Sequence, residues 1–409
     1  MDFTFLHCAD LHLGSPLLGL SMKDEAIARR FAEASRDAFS GLITRAIAER
    51  VAFVLIAGDV YDGEWKDTAI GLFFARELSR LHREEIPVFI IHGNHDAKNV
   101  VTSAIPLPDN VTTFPVKRAK TQKLEALRVA IHGRSFLERE ETENWAPTYP
   151  EPVTGYFNIG MLHTSCDGKP GHASYAPCTT QDLVARGYDY WALGHVHQFE
   201  VLHENPHIVY PGNLQGRSIR ECGPKGAVFV DVQDGRVRDL RRVITDQARW
   251  AEVLLDASGH DDREALLRAV AQAFGPVASE AEGRLVAARL RLTGATTLHR
   301  SLLADSGGFA VDALAAAQQN AEDIWIEKLR LDTRDLAQAS GEDLAGVDLD
   351  ALLAGGDGET LLRRLGEDME MLRSKSSGAA LALDLDDAPA LMAEARALLL
   401  ERAAHGEDR

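Results

Sequence analysis

The side chains able to do chemistry fall into five short groups along 409 residues: Asp10 with His12; Asp59; Asn94, His95 and Asp96; His163; and His195 with His197. Taken singly, each group reads as a capped turn or a satisfied core histidine. Their repetition in five places points to a common purpose. Carboxylate, amide and imidazole donors with no thiolate suit octahedral Mn²⁺ or Fe²⁺ better than a closed structural zinc site. Asp10, His12, Asp59, Asn94, His163, His195 and His197 are too many for one ion with open positions, but right for two ions sharing a carboxylate. Two ions roughly 3.5–4 Å apart clamp a phosphoryl group and turn a shared water into hydroxide near neutral pH. That chemistry is the hydrolysis of a phosphate ester.

Each group follows an apolar run: Phe3 to Cys8, Val51 to Ile56, Val88 to Ile91, Tyr156 to Leu162, and Tyr188 to Leu193. Open α/β sheets bind ligands beyond the carboxyl ends of their strands, so these runs are predicted strands with chemistry at their tips. Period-two alternation predicts that Asp10-x-His12 and His195-x-His197 each send two ligands to one side of an extended tip. Amphipathic helices are predicted over 21–50 and 67–83, giving a β-α-β-α-β succession with parallel strands and right-handed crossovers. Short strands over 111–116 and 127–132 precede a Pro- and Glu-rich loop at 138–152. Beyond His197, runs at 199–203, 207–210, 227–232 and 237–244 are separated by turn signals and read as antiparallel. The sheet system is therefore expected to be mixed.

A composition shift near Thr245 closes a first domain. Residues 248–335 read as a small α+β unit, with strands at 250–255, 285–292 and 324–331 and helices at 261–274 and 296–304. The Ala/Leu/Asp/Glu-rich remainder places Leu361, Leu365, Met369 and Leu372 on one helical face and Leu391, Ala395, Leu398 and Arg402 on another. Docking of these helices on a partner and folding back onto the small domain are equally open.

The formal charge is -18. Through residue 240 there are 25 Lys+Arg against 31 Asp+Glu, and beyond it 19 against 31. That balance argues against a broad basic surface for nucleic acid, so a phosphate substrate needs local cations or metal. Lys117, Arg118, Lys120, Lys123, Arg128 and Arg134 form a modest basic run, with Arg217, Arg220 and Lys225 further on. Arg217 is the best candidate for touching substrate, because its loop follows the His195–His197 strand. No stretch approaches eighteen apolar residues, so no membrane span is expected. The chain enters a strand at once, without a basic, apolar leader, and a cytoplasmic location is expected. Cys8, Cys166, Cys178 and Cys222 show no CxxC spacing and are expected to be reduced, ordinary thiols.

In this order, Asp10-x-His12, Gly58-Asp59, Gly93-Asn94-His95-Asp96, His163 and Gly194-His195-x-His197 resemble the calcineurin-like metallophosphoesterase superfamily over residues 1–240. The flanks narrow the resemblance: His7-Cys8-Ala9-Asp10-Leu11-His12-Leu13-Gly14-Ser15-Pro16-Leu17, Gly58-Asp59-Val60-Tyr61-Asp62-Gly63, Tyr210 to Arg217, and Gly223-Pro224-Lys225-Gly226. These resemble the bacterial DNA-repair exonucleases of the SbcD/YhaO type, the YhaO branch above all. The resemblance implies an α-β-β-α sandwich with mixed sheets over 1–245, a small α+β capping domain over 246–335, and an acidic helical tail over 336–409. It implies one metal on Asp10, His12, Asp59 and His197, and a second on Asp59 (bridging), Asn94, His163 and His195. The ions would be Mn²⁺ first, with Fe²⁺, Mg²⁺ and Zn²⁺ also admissible.

His95 would then face the phosphate and protonate the leaving oxygen, and Asp96 would orient His95. The implied activity is a two-metal phosphodiesterase acting on DNA, with a bridging hydroxide as nucleophile. The implied partner is an SMC-like ATPase whose coiled coil binds the C-terminal helices, and a homodimer is compatible. Asp62 stands where many relatives carry a histidine linked to exonuclease action, so phosphodiester cleavage is expected more firmly than processive degradation. The competing readings are a phosphoesterase for nucleotides or phosphoproteins, and a non-catalytic scaffold. Scaffolds of this fold usually lose a strand-tip histidine, and here all are present.

Overall fold

In the computed structural model the described residues are 2–15, 25–62, 68–97, 105–168 and 175–336. The helical faces predicted around 361–372 and 391–402 lie outside them. The chain divides into two units, Met1–Trp250 and Ala251–Arg409.

The first unit begins with β1 (Phe3–Cys8), α1 (Glu25–Ala48), β2 (Phe53–Ala57), α2 (Thr68–Arg83), β3 (Val88–Ile91) and β4 (Val111–Thr113). It continues with β5 (Lys120–Leu124), β6 (Val129–Gly133), β7 (Phe157–His163), α3 (Thr180–Ala185) and β8 (Tyr190–Gly194). It ends with β9 (Glu200–Glu204), β10 (His207–Tyr210), β11 (Gly226–Gln233) and β12 (Arg236–Ile244). Two six-stranded sheets result, ordered β12-β11-β1-β2-β3-β4 and β5-β6-β7-β8-β10-β9. β2 and β3 are buried along their whole length, which is why their sequences are unbroken apolar strings rather than alternating ones.

The sheets pack face to face over a shared aromatic and aliphatic layer. There Phe5 stacks on Phe53 with ring centroids 5.0 Å apart, and Phe157, Met161, Tyr190 and Val230 fill the remaining space. On the outer face of the first sheet, Phe39, Leu42 and Ile43 of α1 meet Phe74, Leu78 and Leu81 of α2. On the outer face of the second, Trp191 and Tyr149 pack with Leu183 of α3. Helix α3 opens on a reciprocal capping box between Thr179 and Asp182. The layers are those of the expected α-β-β-α sandwich.

β1, β2, β3 and β4 are parallel, so the tips of the first three lie on one sheet edge as expected. The later strands pair antiparallel within each hairpin, as expected. β10 pairs antiparallel with β9 but parallel with β8, and the β11–β12 hairpin joins the first sheet through β1. Hairpin spacing reveals that neighbours pair; it carries no information about which sheet they join. β5 was not expected, because it is a polar edge strand, Lys-Thr-Gln-Lys-Leu, with no apolar alternation to announce it.

The second unit carries a three-stranded sheet of β13 (Ala248–Asp256), β14 (Leu285–Thr296) and β15 (Ile324–Asp335), with β14 and β15 parallel. Helices α4 (Arg263–Ala281), α5 (His299–Ala304) and α6 (Ser306–Gln318) accompany it. The expected helix over 296–304 begins later, because β14 runs on to Thr296. α6 was missed altogether, since Ser306-Gly307-Gly308 looks like a breaker. The Asp305 carboxylate accepts from Gly308 N and caps the helix, while Phe309, Ala313 and Ala317 are buried.

Candidate active site

The strand tips turn sharply where the chemistry begins. Asp10 (φ 52), His12 (φ 42), Asp59 (φ 51) and His195 (φ 101) all have left-handed backbones, which non-glycine residues adopt only under local constraint. The constraint comes from the neighbouring tip: Asp10 N donates to Gly58 O at 3.0 Å, His12 N to Asp59 O at 3.0 Å, and Leu13 N to Val60 O at 2.9 Å. Extended alternation therefore does not aim the paired ligands, as the spacing had suggested. Left-handed turns do.

All seven expected metal ligands are brought together. Asp10, His12 and His197 converge, and so do Asp10, Asp59 and His163, with ligand atoms in each set within 4.8 Å of one another. His12 Nε2 lies 3.1 Å from His197 Nε2, and His197 Nε2 lies 3.8 Å from Asp10 Oδ1. Asp59 Oδ2 sits between the two sets, 3.8 Å from His12 Nε2 and 3.4 Å from His163 Nε2. Asn94 Oδ1 is 3.0 Å from the same His163 nitrogen, and the His195 ring packs edge-on against His163 with centroids 5.3 Å apart.

The donor set fits divalent cations. His163 Nδ1 faces the Ala57 carbonyl at 2.9 Å and must donate to it, so Nε2 is the atom aimed at carboxylate and amide oxygens, and it presents a lone pair whenever the ring is neutral. His197 Nδ1 donates to Glu221 at 2.7 Å, which again turns the Nε2 lone pair inward. Lone pairs aimed at lone pairs in a buried pocket are an arrangement that a proton or a metal cation resolves, and the donor types suit a divalent metal. The charges are correspondingly displaced. Burial opposes a charge on His163, but Asp59 and Asp10 outweigh it and push its pKa up to about 9. Burial raises Asp10 to about 6 against the pull of His197 and His163. Burial also acts to raise Asp59, yet His163, His12 and His95 hold it well below the usual carboxylate range.

His95 stands at the rim, its side chain 37% exposed and its ring edge-on to His12 at 5.0 Å. Its expected orienting partner does not reach it. The Asp96 carboxylate accepts from the backbone amides of Val60 (3.1 Å), Tyr61 (3.0 Å) and Gly93 (3.1 Å). A short acidic side chain in a turn reaches back to nearby amides before it reaches a neighbouring ring. Asp96 thus fastens the β2 tip to the β3 tip. The carboxylate facing His95 is that of Asp62, with Oδ1 at 2.8 Å from Nδ1. Asp62 also accepts from Ser15 Oγ at 2.7 Å. The sequence signal for Asp62 is its position three residues after Asp59.

Arg217 does lie at the site, with Nη1 3.5 Å from Asp62 and Nη2 3.3 Å from Glu221. Glu221 itself gave no sequence signal. It accepts from His197 Nδ1, Asn213 Nδ2 (2.8 Å) and Arg217 N (2.8 Å), gathering one metal-ligand candidate and the candidate substrate arginine on one carboxylate. Lys225 is buried, and its Nζ donates to the His197 carbonyl at 3.0 Å, so it braces the tip rather than meeting substrate. Lys117, Arg118, Lys120, Lys123 and Arg128 are exposed, whereas the Arg134 guanidinium lies over Trp145 at 3.6 Å.

Comparison with known proteins follows the two units. The calcineurin-like phosphoesterase family matches residues 3–199, and the middle domain of metallophosphoesterase YhaO matches residues 250–334. The relative described as uncharacterized metallophosphoesterase YhaO of Bacillus subtilis (strain 168) is 36% identical over 338 residues, covering 81% of this chain and 81% of its own. The chain belongs to the YhaO-type calcineurin-like metallophosphoesterases. A DNA double-strand break repair protein Mre11 of Methanopyrus kandleri is 25% identical over 256 residues, or 58% of this chain and 52% of that protein. Among solved structures, a dimetal phosphatase from Danio rerio is 13% identical, with a TM-score of 0.36, covering 60% of this chain and 98% of the phosphatase. As a member of this family the YhaO-type protein is a metal-dependent phosphoester hydrolase. Among its described residues, no helix is long and apolar enough to cross a membrane.

Proposed function

We propose that this YhaO-type metallophosphoesterase is a two-metal phosphodiesterase acting on DNA. The observation that carries the phosphodiesterase chemistry is the Asp62–His95 pair, 2.8 Å apart, at the rim of a donor set converging on Asp59. Asp10, His12, Asp59 and His197 would hold one cation and Asp59, Asn94, His163 and His195 the other, with Mn²⁺ first and Fe²⁺, Mg²⁺ or Zn²⁺ admissible on the same donors. Bound cations supply charge for the phosphoryl oxygens and acidify water. His95 then delivers a proton to the leaving sugar oxygen, and Asp62 holds that proton on the ring until it is needed. Arg217, steadied by Glu221, contacts a non-bridging phosphate oxygen. Asp96 acts through the backbone, keeping the two strand tips in register.

DNA as substrate is supported by the distant similarity to an Mre11 protein. The reading includes a phosphoesterase domain over 1–245, a capping domain over 246–335 and a partner-binding tail over 336–409. It also includes a cytoplasmic location and an SMC-like ATPase as partner. Asp62 at the position where many DNA exonucleases carry histidine favours one alternative, a phosphodiesterase for small phosphoesters.

The test compares the Mn²⁺-loaded full chain on labelled duplex DNA, bis-p-nitrophenyl phosphate and a cyclic nucleotide. Metal-dependent cutting of the duplex is expected. Strong turnover of the small diesters with DNA intact under every metal condition would remove DNA from the reading and leave the phosphodiesterase chemistry standing.

A further inference from the structure

Beyond His163 the chain runs through Thr164, Ser165 and Cys166, and the segment Tyr175–Cys178 comes alongside it. Ser165 N donates to Tyr175 O at 2.9 Å and Asp167 N to Cys178 O at 2.9 Å, setting Cys166 and Cys178 opposite one another in parallel register. Paired strands lie about 4.7–4.9 Å apart. That spacing falls inside the roughly 4.4–6.8 Å Cα separation that a disulfide accepts. Both residues are buried, Cys166 completely and Cys178 to within 6% exposure. Each thiol displaces the titration of the other, raising Cys166 and lowering Cys178. Thr164 Oγ1 lies 3.3 Å from Cys178 Sγ, and Thr180 Oγ1 lies 3.7 Å from Cys166 Sγ. The hydrolytic chemistry uses neither sulfur.

We propose that Cys166 and Cys178 form a redox-active dithiol that closes to an intramolecular disulfide on reaction with a low-molecular-weight disulfide. Cys178 is the attacking sulfur. It is the more accessible of the two, and the neighbouring Cys166 thiol pulls its pKa down while that of Cys166 is raised. The Cys178 sulfur attacks one sulfur of the small disulfide, and the departing small thiolate takes up the Cys178 proton. Cys166 then attacks the Cys178 sulfur of the mixed disulfide, and the second small thiol leaves with the Cys166 proton. Two protein thiols become one disulfide, and one small disulfide becomes two small thiols.

The consequence reaches the metal pocket. Tyr175 packs its ring edge-on against His195 with centroids 5.3 Å apart, and Thr164 Oγ1 donates to Ala176 O at 2.7 Å. A bond between Cys166 and Cys178 ties the segment bearing Tyr175 to the strand ending at His163. Oxidation therefore fixes one wall of the pocket.

The test equilibrates the folded full chain with mixtures of oxidised and reduced glutathione, then alkylates it under denaturing conditions and maps the peptides. A linked Cys166–Cys178 peptide is expected, with loss of two alkylatable thiols, a mass lower by two hydrogens, and a raised Tm that dithiothreitol reverses. Cys222→Ser should behave identically. Folded Cys166→Ser, checked by circular dichroism, should instead trap glutathione on Cys178. Recovery of Cys166 and Cys178 as alkylated thiols at every poise, with glutathione only on Cys222, would overturn the proposal. So would a linked peptide that forms only after urea.

Discussion

At the scale of residues, the decisive pairing is His95 with Asp62. Burial works against a charge on His95, but the hydrogen bond to Asp62 and the field of Asp59 outweigh it and raise the ring above its ordinary pKa. Burial acts to raise Asp62, but His95, Ser15 and Arg217 together bring it below its ordinary value. The ring thus remains protonated to higher pH than an ordinary histidine, and a rate that needs the acid falls as pH rises through that raised value. Asp62→Asn should move this alkaline limb to lower pH with metal content unchanged; a pH–rate profile beside elemental analysis decides it. His95→Ala should retain metal yet lose at least about a hundredfold in kcat, the scale of acid–base catalysis. Glu221→Gln keeps the shape of the site but gives up the anion that fixes the His197 tautomer. Calorimetric titration should show metal affinity weaker by about 10–100-fold, with the His95 limb unmoved.

At the scale of elements, the site is a set of strand tips that must approach closely. Gly93 shows how closely: a Cβ there would stand 2.2 Å from Asp59 Oδ1 and 2.7 Å from His163 Cε1. Gly93→Ala should therefore displace the Asp59 carboxylate. It should lower stability by about 1–3 kcal/mol in urea unfolding, and a metal titration should show weakened binding in the same variant. The three backbone amides on Asp96 are the counterpart of that crowding, because they hold the β2 and β3 tips at the distance glycine permits. β1, β2, β3, β7 and β8 were legible in sequence because strands buried on both faces need predominantly apolar runs. β5 and α6 were not, since an edge strand can be wholly polar and a capped helix can begin in glycines.

At the scale of the whole molecule, a chain with net charge -18 has little electrostatic reason to hold DNA without metal. Fluorescence anisotropy with a labelled duplex and the His95→Ala variant should show weak binding in chelator and tighter binding on adding Mn²⁺. Equal binding in both would assign DNA contact to protein cations such as Lys117, Arg118 and Lys120 instead. The sequence by itself determined the five strand ends and the seven ligand candidates, because buried strands and metal donors are constraints on residue type at a given place in the chain, whereas the sandwich came with the family resemblance that those motifs carry. Only the tertiary structure decided that Asp62 and not Asp96 faces His95, and that Glu221 holds both His197 and Arg217. It also decided that Lys225 is spent on a carbonyl and that Cys166 meets Cys178. Each of these is a choice among partners of similar chemistry. Such choices are made by the left-handed turns, sheet order and side-chain reach that bring distant segments together, and no local pattern of residues encodes them.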